Sequence, residues 1–163
     1  MYKLMIALLG PALLLLASAA PAMAQSPDIA VEDAWARATV TASQPGAVFF
    51  VIRNAGEADD MLTGAASPVA DAVEIHESGM QDGVMAMRRL DSVPVAAGGE
   101  ADFAPGGLHV MLIGLHEPLT KGESFPLELE FATAGRMAVE VTVRDAMAEG
   151  TAKQGEHSMH DHH

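Results

Sequence analysis

Hydrophobic and polar positions alternate along most of the chain, in short segments separated by Gly, Pro, Asn and Asp. A period of two is typical of strands that bury one face, and such breakers mark turns. The pattern predicts strands near 29–38, 47–54, 72–78, 84–90, 108–114, 125–132 and 136–144, and 58–70 could hold another short one. Many short strands without a long amphipathic helix indicate an all-β fold, a β-sandwich or Greek-key barrel.

The two ends of the chain have a different character. Lys3, an apolar core and the small-residue site Ala22-Met23-Ala24 have the layout of a secretory signal peptide that is cleaved after Ala24. The apolar core is short for a membrane span, although an uncleaved anchor remains the alternative. Residues 146–163 have almost no large apolar side chain except methionine, so we expect a mobile tail. The predicted domains are a signal peptide at 1–24, a β-domain at 25–145 and a flexible His/Met-rich tail at 146–163.

Charge and cysteine content exclude several function classes. The formal net charge is −13, and it becomes −14 when residues 1–24 leave with Lys3 and no acidic residue. Such a chain does not attract nucleic acid or an anionic membrane through its overall field. The sequence has no cysteine, whereas all seven histidines and eight of its 11 methionines follow residue 24. Soft-metal chemistry would therefore have to use thioethers and imidazoles, and a blue-copper electron-transfer centre is excluded because it needs a thiolate.

Alternation places an imidazole beside a thioether in the segment 108–112. His109 and Met111 point to one face there, and three aliphatic side chains point to the other. Pro105-Gly106-Gly107 directly precedes them, so the pair lies at the start of a strand and near a loop. The ordinary explanation of a methionine at such a position is packing, and that of a lone histidine is a polar surface residue or a satisfied core residue.

A second pair comes from the predicted hairpin of the third and fourth strands. Asp82-Gly83 is a strong signal for a two-residue turn. With that turn His76 lies opposite Arg89, and Ser78 lies opposite Met87. A longer loop before the turn is the alternative, but either arrangement brings His76 within a few residues of Met87. Imidazole and thioether ligands suit the soft ion Cu(I), and a thioether carries no proton that the metal must displace.

The spacing of these four residues resembles the H-x10-M-x21-H-x-M signature of the PCuAC family of periplasmic copper chaperones. Similarity extends to the segments 34–37, 82–88 and 105–111, which look like the opening strand and central motifs of the family. The resemblance implies a cupredoxin-like β-fold that holds one Cu(I) at an exposed edge through His76, Met87, His109 and Met111. Met80 and Met85 lie outside the signature and are interpreted as structural or incidental, and His116 as a solvated loop residue.

The resemblance also implies a function without catalysis. The family is associated with copper delivery to the copper centres of cytochrome c oxidase, often alongside Sco-like proteins. We therefore expect a monomeric periplasmic chaperone whose partners are the oxidase copper subunit, a Sco-like protein or both, with no stable membrane insertion after cleavage. A copper buffer or resistance protein without a dedicated recipient is the alternative. An enzyme is not expected, because no nucleophile triad or carboxylate pair stands out and dithiol chemistry needs cysteine.

The end of the tail is a second candidate metal site. Flexible His-rich tracts bind Cu(II) and similar ions through imidazole, and some family members have a comparable extension implicated in Cu(II) binding. A solvated tail or the remnant of a purification tag are the alternatives, although Met159 and Asp161 interrupt the histidine run. The candidate Cu(II) ligands are His157, Met159, His160, His162 and His163.

Overall fold

The computed structural model describes residues 28–145, and every regular element within them is a strand. No helix in that range is long and apolar enough to cross a membrane. The predicted signal peptide and tail lie outside the described residues. The ten strands are β1 (Ile29–Arg37), β2 (Gly46–Asn54), β3 (Asp60–Ala66), β4 (Ala70–Gln81), β5 (Val84–Leu90), β6 (Val93–Val95), β7 (Glu100–Phe103), β8 (Leu108–Leu115), β9 (Ser124–Phe131) and β10 (Gly135–Arg144).

The strands form one sheet in the order β5-β4-β8-β2-β1-β10-β9-β3-β6, and β7 pairs with the second half of β2. Strands β1 and β10 are parallel, and the other described pairs are antiparallel. The sheet folds over on itself, since β3 contacts β4 and β6 contacts β7. The predicted all-β fold is confirmed.

A single apolar core fills the space between the folded halves of the sheet. The rings of Phe50 and Phe103 stack there at 4.4 Å between centroids. Burying a side chain of this size stabilises the fold by about 1.5–3 kcal/mol relative to leaving it exposed. The other large side chains without solvent contact are Val48, Ile52, Leu62, Val95, Val110, Leu112, Leu127, Leu129 and Val141.

The predicted strands are present, and the optional one within 58–70 is β3. The strands β6 and β7 were not predicted, because three or four residues contain too few alternations to be recognised. Strand β4 runs to Gln81, so the alternative of a longer loop before the turn is wrong.

The turn between β4 and β5 fixes the register of the hairpin. Asp82 and Gly83 have φ of 51° and 81°. A type I′ turn requires positive φ at both central residues, and Asp-Gly tolerates this well. His76 pairs with Arg89 and Ser78 with Met87, as predicted.

A β-bulge in β1 determines which side chains lie beyond the core. The pairing with β2 shifts by one residue between Glu32 and Trp35, around Asp33, whose φ is 51°. One extra residue reverses the alternation, so Ala36 faces the core and Trp35 faces outward. Trp35 then lies opposite Phe49 on the outer face of the sheet.

Candidate metal site

The paired strands β4 and β8 bring three of the predicted copper ligands and one carboxylate onto the same face of the sheet. His76 pairs with His109 and Glu74 pairs with Met111, and residues that pair directly in an antiparallel ladder point to the same face. The opposite face of both strands lies in the core, where Ile75, Val110 and Leu112 are buried. The candidate ligands therefore lie on the outer face of the sheet, on the side of these two strands that is turned away from the core.

The two histidines lie within reach of a single metal ion. Their ring centroids are 5.9 Å apart, with 46° between the ring planes. Imidazole nitrogens bind metals at about 2 Å, which puts two rings on one ion about 5–6 Å apart between centroids. Both are sheltered, since His109 is 6% exposed and the His76 side chain 14% exposed.

Aromatic rings hold His109 from behind. Phe49 lies 6.4 Å from the His109 ring, and Trp35 lies 4.7 Å from Phe49 between centroids. The guanidinium groups of Arg37 and Arg144 cover the outer sides of Phe49 and Trp35, at 5.9 Å and 5.5 Å. This packing restricts the rotamers of His109. Trp35 is itself buried in this packing.

A turn before β8 fixes which nitrogen of His109 carries a proton. The Gly107 amide donates to the Ala104 carbonyl at 3.0 Å, and Gly106 has φ of 85°, as the third residue of a type II turn requires. The Gly107 carbonyl then accepts from the Ser78 amide at 3.0 Å and from Nδ1 of His109 at 3.1 Å. A carbonyl can only accept, so Nδ1 is protonated and Nε2 of neutral His109 keeps its lone pair.

The other histidine is held by a carboxylate. Nε2 of His76 lies 2.8 Å from Oε2 of Glu74, and Oε1 of Glu74 lies 3.4 Å from Nη1 of Arg89. The hydrogen bond from His76 lowers the pKa of Glu74 most, partial burial opposes that change, and the charge of Arg89 lowers the pKa further. Nδ1 of His76 is buried and has no hydrogen-bond partner.

The two predicted sulfur ligands occupy unequal positions. Met111 follows His109 on β8 and is partly buried, whereas Met87 is 54% exposed on the edge strand β5. By register the two methionines stand two strands and four residue positions apart, roughly 16 Å between Cα atoms in a flat sheet. The structure thus brings His76, His109 and Met111 together and leaves Met87 at the margin.

The remaining candidates lie outside this cluster. Met80 and Met85 pair with each other across the hairpin and are 67% and 62% exposed, so they lie outside the cluster and make no core contact. His116 is exposed, as predicted, and its Nε2 lies 3.1 Å from Oδ1 of Asp71. The tail candidates His157, Met159, His160, His162 and His163 lie outside the described residues.

Sequence reasoning missed Glu74 and Arg89 as parts of the site. A signal was present, because Glu74 and His76 are two residues apart on one strand and so share a face. Within residues 28–145, no three His, Asp or Glu side chains are grouped so as to hold a metal ion. The cluster combines two imidazoles with one thioether, that of Met111.

Comparison with known proteins identifies the family. Residues 29–143 match the model of the family described as "Putative lipoprotein LpqE-like". The chain belongs to this LpqE-like family. A protein of Leifsonia xyli subsp. xyli (strain CTCB07), likewise described as a putative lipoprotein, is 33% identical over 131 residues, which cover 77% of this chain and 78% of the relative.

Solved PCuAC domains share the fold. The copper-bound PCuAC domain from PmoF2 has a TM-score of 0.62 at 23% identity, over 72% of this chain and 93% of that domain. Apo-DR1885 from Deinococcus radiodurans has a TM-score of 0.60 at 26% identity, over 90% of this chain and 98% of that protein. Its Cu(I) form has a TM-score of 0.51 at 28% identity, over 75% and 83%. This LpqE-like protein therefore has the fold of copper-binding PCuAC domains.

Proposed function

We propose that this protein is an exported copper carrier that holds one Cu(I) through His76, His109, Met111 and Met87. The observation that carries the proposal is the pair of sheltered imidazoles on the outer face of β4 and β8, 5.9 Å apart and flanked by Met111. The likeness to DR1885, whose Cu(I) form has been solved, supports copper as the ion.

The donor set favours Cu(I) over hard cations. Imidazole and thioether are neutral, soft donors, whereas Mg²⁺ and Ca²⁺ prefer oxygen ligands. Each histidine has one nitrogen occupied by a hydrogen-bond acceptor and one left over. The site can therefore take up the ion without losing the contacts that orient its rings, and thioether ligation releases no proton.

The position of Met87 suits a carrier better than a permanent copper centre. Strand β5 is the edge of the sheet and Met87 is exposed, so this ligand must approach through bending of the β4–β5 hairpin. A ligand on a movable edge can be exchanged first for a ligand of the recipient. The three inner ligands would then release the ion in turn.

Export is supported by the predicted amino-terminal signal peptide and by the lipoprotein descriptions of the family and the relative. We propose a periplasmic protein that is cleaved after Ala24 and that functions as a monomer.

The proposed recipients are the copper centres of cytochrome c oxidase, reached directly or through a Sco-like protein. The alternative is a copper buffer or resistance protein without a dedicated recipient. The histidine-rich end of the tail, 157–163, would collect Cu(II) in either case. Delivery is tested by mixing the Cu(I)-loaded protein with an apo oxidase copper domain. Rapid transfer to that domain, but not to an unrelated apo copper protein, supports a chaperone, and equal transfer to both favours the buffer.

An anaerobic Cu(I) titration against a competing chelator tests the core site. We expect one tight equivalent in the exported chain and in a form that ends at Asp145. A Met87→Ala, Met111→Ala double variant should lose it, whereas the matched control Met61→Ala, which removes an exposed methionine on β3, should keep it. Tight Cu(I) binding that disappears with the tail would contradict the assignment.

A further inference from the structure

We propose that copper(I) binds Nδ1 of His76 and Nε2 of His109, and that Glu74 is the positioning residue that presents Nδ1 of His76 to the metal. This inference rests on the proposed function, since it specifies how the two imidazoles take part in the same site. It also adds a residue, Glu74, to those that determine copper affinity.

The hydrogen bond between His76 and Glu74 determines the tautomer of His76. A carboxylate has no proton to donate, so Oε2 of Glu74 is the acceptor of this hydrogen bond. Nε2 of His76, 2.8 Å away, must therefore be the protonated nitrogen. In the neutral ring the lone pair is then on Nδ1.

Nδ1 of His76 is the atom that lacks a partner. It is inaccessible to solvent and makes no hydrogen bond, although buried polar atoms in proteins are nearly always paired. An unpaired ring nitrogen, on an imidazole whose centroid lies 5.9 Å from that of a second imidazole, is the arrangement expected of a metal ligand before the metal binds. For His109 the same reasoning gives the other nitrogen, because the Gly107 carbonyl occupies Nδ1.

Glu74 is itself held in place. Its second oxygen lies 3.4 Å from the Arg89 guanidinium on β5, and its side chain is only 25% exposed. Contacts therefore run across the hairpin from Arg89 through Glu74 to His76. They end at the His76 ring, whose Nδ1 has no hydrogen-bond partner. A carboxylate behind a ligating histidine fixes the ring and makes it a stronger donor.

If Glu74 competed with the metal instead of positioning His76, its removal would have the opposite effect on copper affinity. If copper instead used Nε2 of His76, Glu74 would compete with the metal for that nitrogen. Removal of the carboxylate would then tighten copper binding. The sign of the effect on affinity therefore separates a positioning residue from a competitor.

Histidine nitrogen shifts provide the direct test. The full exported chain, labelled with ¹⁵N at histidine, is examined by long-range ¹H–¹⁵N correlation without metal and with one equivalent of Cu(I), which is diamagnetic. Before copper we expect the Nε2–H tautomer of His76 and the Nδ1–H tautomer of His109. Copper should shift Nδ1 of His76 and Nε2 of His109.

The two claims can fail separately in that experiment. A copper-dependent shift of Nε2 of His76 would overturn this inference and leave the proposed function intact. Bound copper that shifts neither ring would overturn the proposed function and this inference with it.

Variants of Glu74 test its role with a matched control. Glu74→Ala should weaken Cu(I) binding by about 10–100-fold, the usual cost of losing a partner of a metal-bound histidine. Glu74→Gln keeps an acceptor oxygen and should lose less and retain the Nε2–H tautomer. Glu77→Gln should leave the affinity unchanged, since Glu77 pairs with Arg88 on the other face of the same hairpin.

The tautomer of each variant is measured by the same correlation, so a change of fold is recognised from the other histidine signals. Unchanged or tighter Cu(I) binding by a folded Glu74→Ala protein would overturn the positioning role. An equal loss in Glu77→Gln would overturn it as well, because the effect would then be one of charge alone.

Discussion

Two sheltered polar clusters lie at opposite ends of the sandwich. They differ in how many of their polar atoms have a hydrogen-bond partner. At one end, next to the pairing of Ile29 with Asn54, the carboxylate of Asp60 accepts backbone amides of Met61, Thr133 and Ala134 at 2.7, 2.9 and 2.9 Å. At the other end, beyond Trp35, the two histidines retain a free nitrogen each.

The difference separates a structural cluster from a binding cluster. Burial acts to raise the pKa of Asp60, but the three amides outweigh it and hold that pKa below its usual value. Two of these hydrogen bonds, from the amides of Thr133 and Ala134, tie β3 to the turn between β9 and β10. At the histidine end, one nitrogen of each ring has no hydrogen-bond partner. These lone pairs contribute to the stability of the protein only when they bind a metal ion. The two clusters should therefore respond to mutation in opposite ways.

The largest expected effect is on copper affinity. His76→Ala or His109→Ala should weaken Cu(I) binding by more than about 100-fold, beyond the range for residues that act behind a ligand. Both metal-free variants should also lose some thermal stability, because each removes a sheltered, hydrogen-bonded ring. A chelator competition and a melting curve measure the two quantities, and a variant that keeps its affinity would contradict the role of that histidine.

At the Asp60 end of the sandwich, we expect a mutation to change stability and not copper affinity. Asp60→Ala leaves three amides without their charged acceptor and should lower the free energy of unfolding by about 3 kcal/mol. Its Cu(I) affinity should match that of the wild type, because the site lies at the far end of the sandwich. Urea denaturation and the same titration test both parts, and a parallel loss of affinity would show that the clusters are not independent.

Acid should remove the contribution of Asp60 selectively. Its folded pKa is depressed, so its stabilisation is complete above the unfolded value of about 3.9 and is lost as pH falls through the folded pKa. The difference in melting temperature between wild type and Asp60→Asn should therefore shrink as pH decreases below about 4. A difference that persists unchanged down to the lowest pH at which the protein is folded would contradict this account.

Part of this arrangement can be predicted from the sequence, because a strand has a period of two. Alternation puts His109 beside Met111, and the Asp82-Gly83 turn fixes His76 opposite Arg89. The pairing of β4 with β8 cannot be predicted in this way, since the two strands are distant in sequence and their contact depends on the whole topology.

The position of Met87 follows from that long-range pairing. Because β4 lies between β5 and β8, Met87 is separated from His109 by a whole strand. The role of Glu74 also depends on a side-chain contact that alternation permits but does not specify. The reversal of Trp35 depends on a bulge at Asp33, and an aspartate tolerates positive φ without indicating a bulge inside a strand.

The unequal positions of the two methionines predict unequal effects. Met111→Ala should weaken Cu(I) binding by at least about tenfold, or ~1.4 kcal/mol, because it removes an inner ligand. Met87→Ala should weaken it less at equilibrium but should speed release to a chelator, since this ligand closes the site from the hairpin. Competition titration and stopped-flow release measure the two. A larger equilibrium loss for Met87→Ala would show that the hairpin is already folded over the site.

The smallest effect is expected at the tip of the hairpin. A Met80→Ala, Met85→Ala double variant should keep one tight Cu(I) equivalent with unchanged affinity, because these exposed side chains lie beyond Met87. Met61→Ala is the matched control for loss of an exposed methionine. A fall in affinity or in the number of bound ions would extend the site along the hairpin.

X-ray absorption at the copper edge tests the central claim most directly. The full exported chain with one equivalent of Cu(I) should show nitrogen at about 2.0 Å and sulfur at about 2.3 Å. The sulfur shell should vanish in the Met87→Ala, Met111→Ala variant and remain in Met61→Ala. A copper environment of nitrogen alone in the wild type would contradict the account, as would a sulfur shell that survives in the double variant.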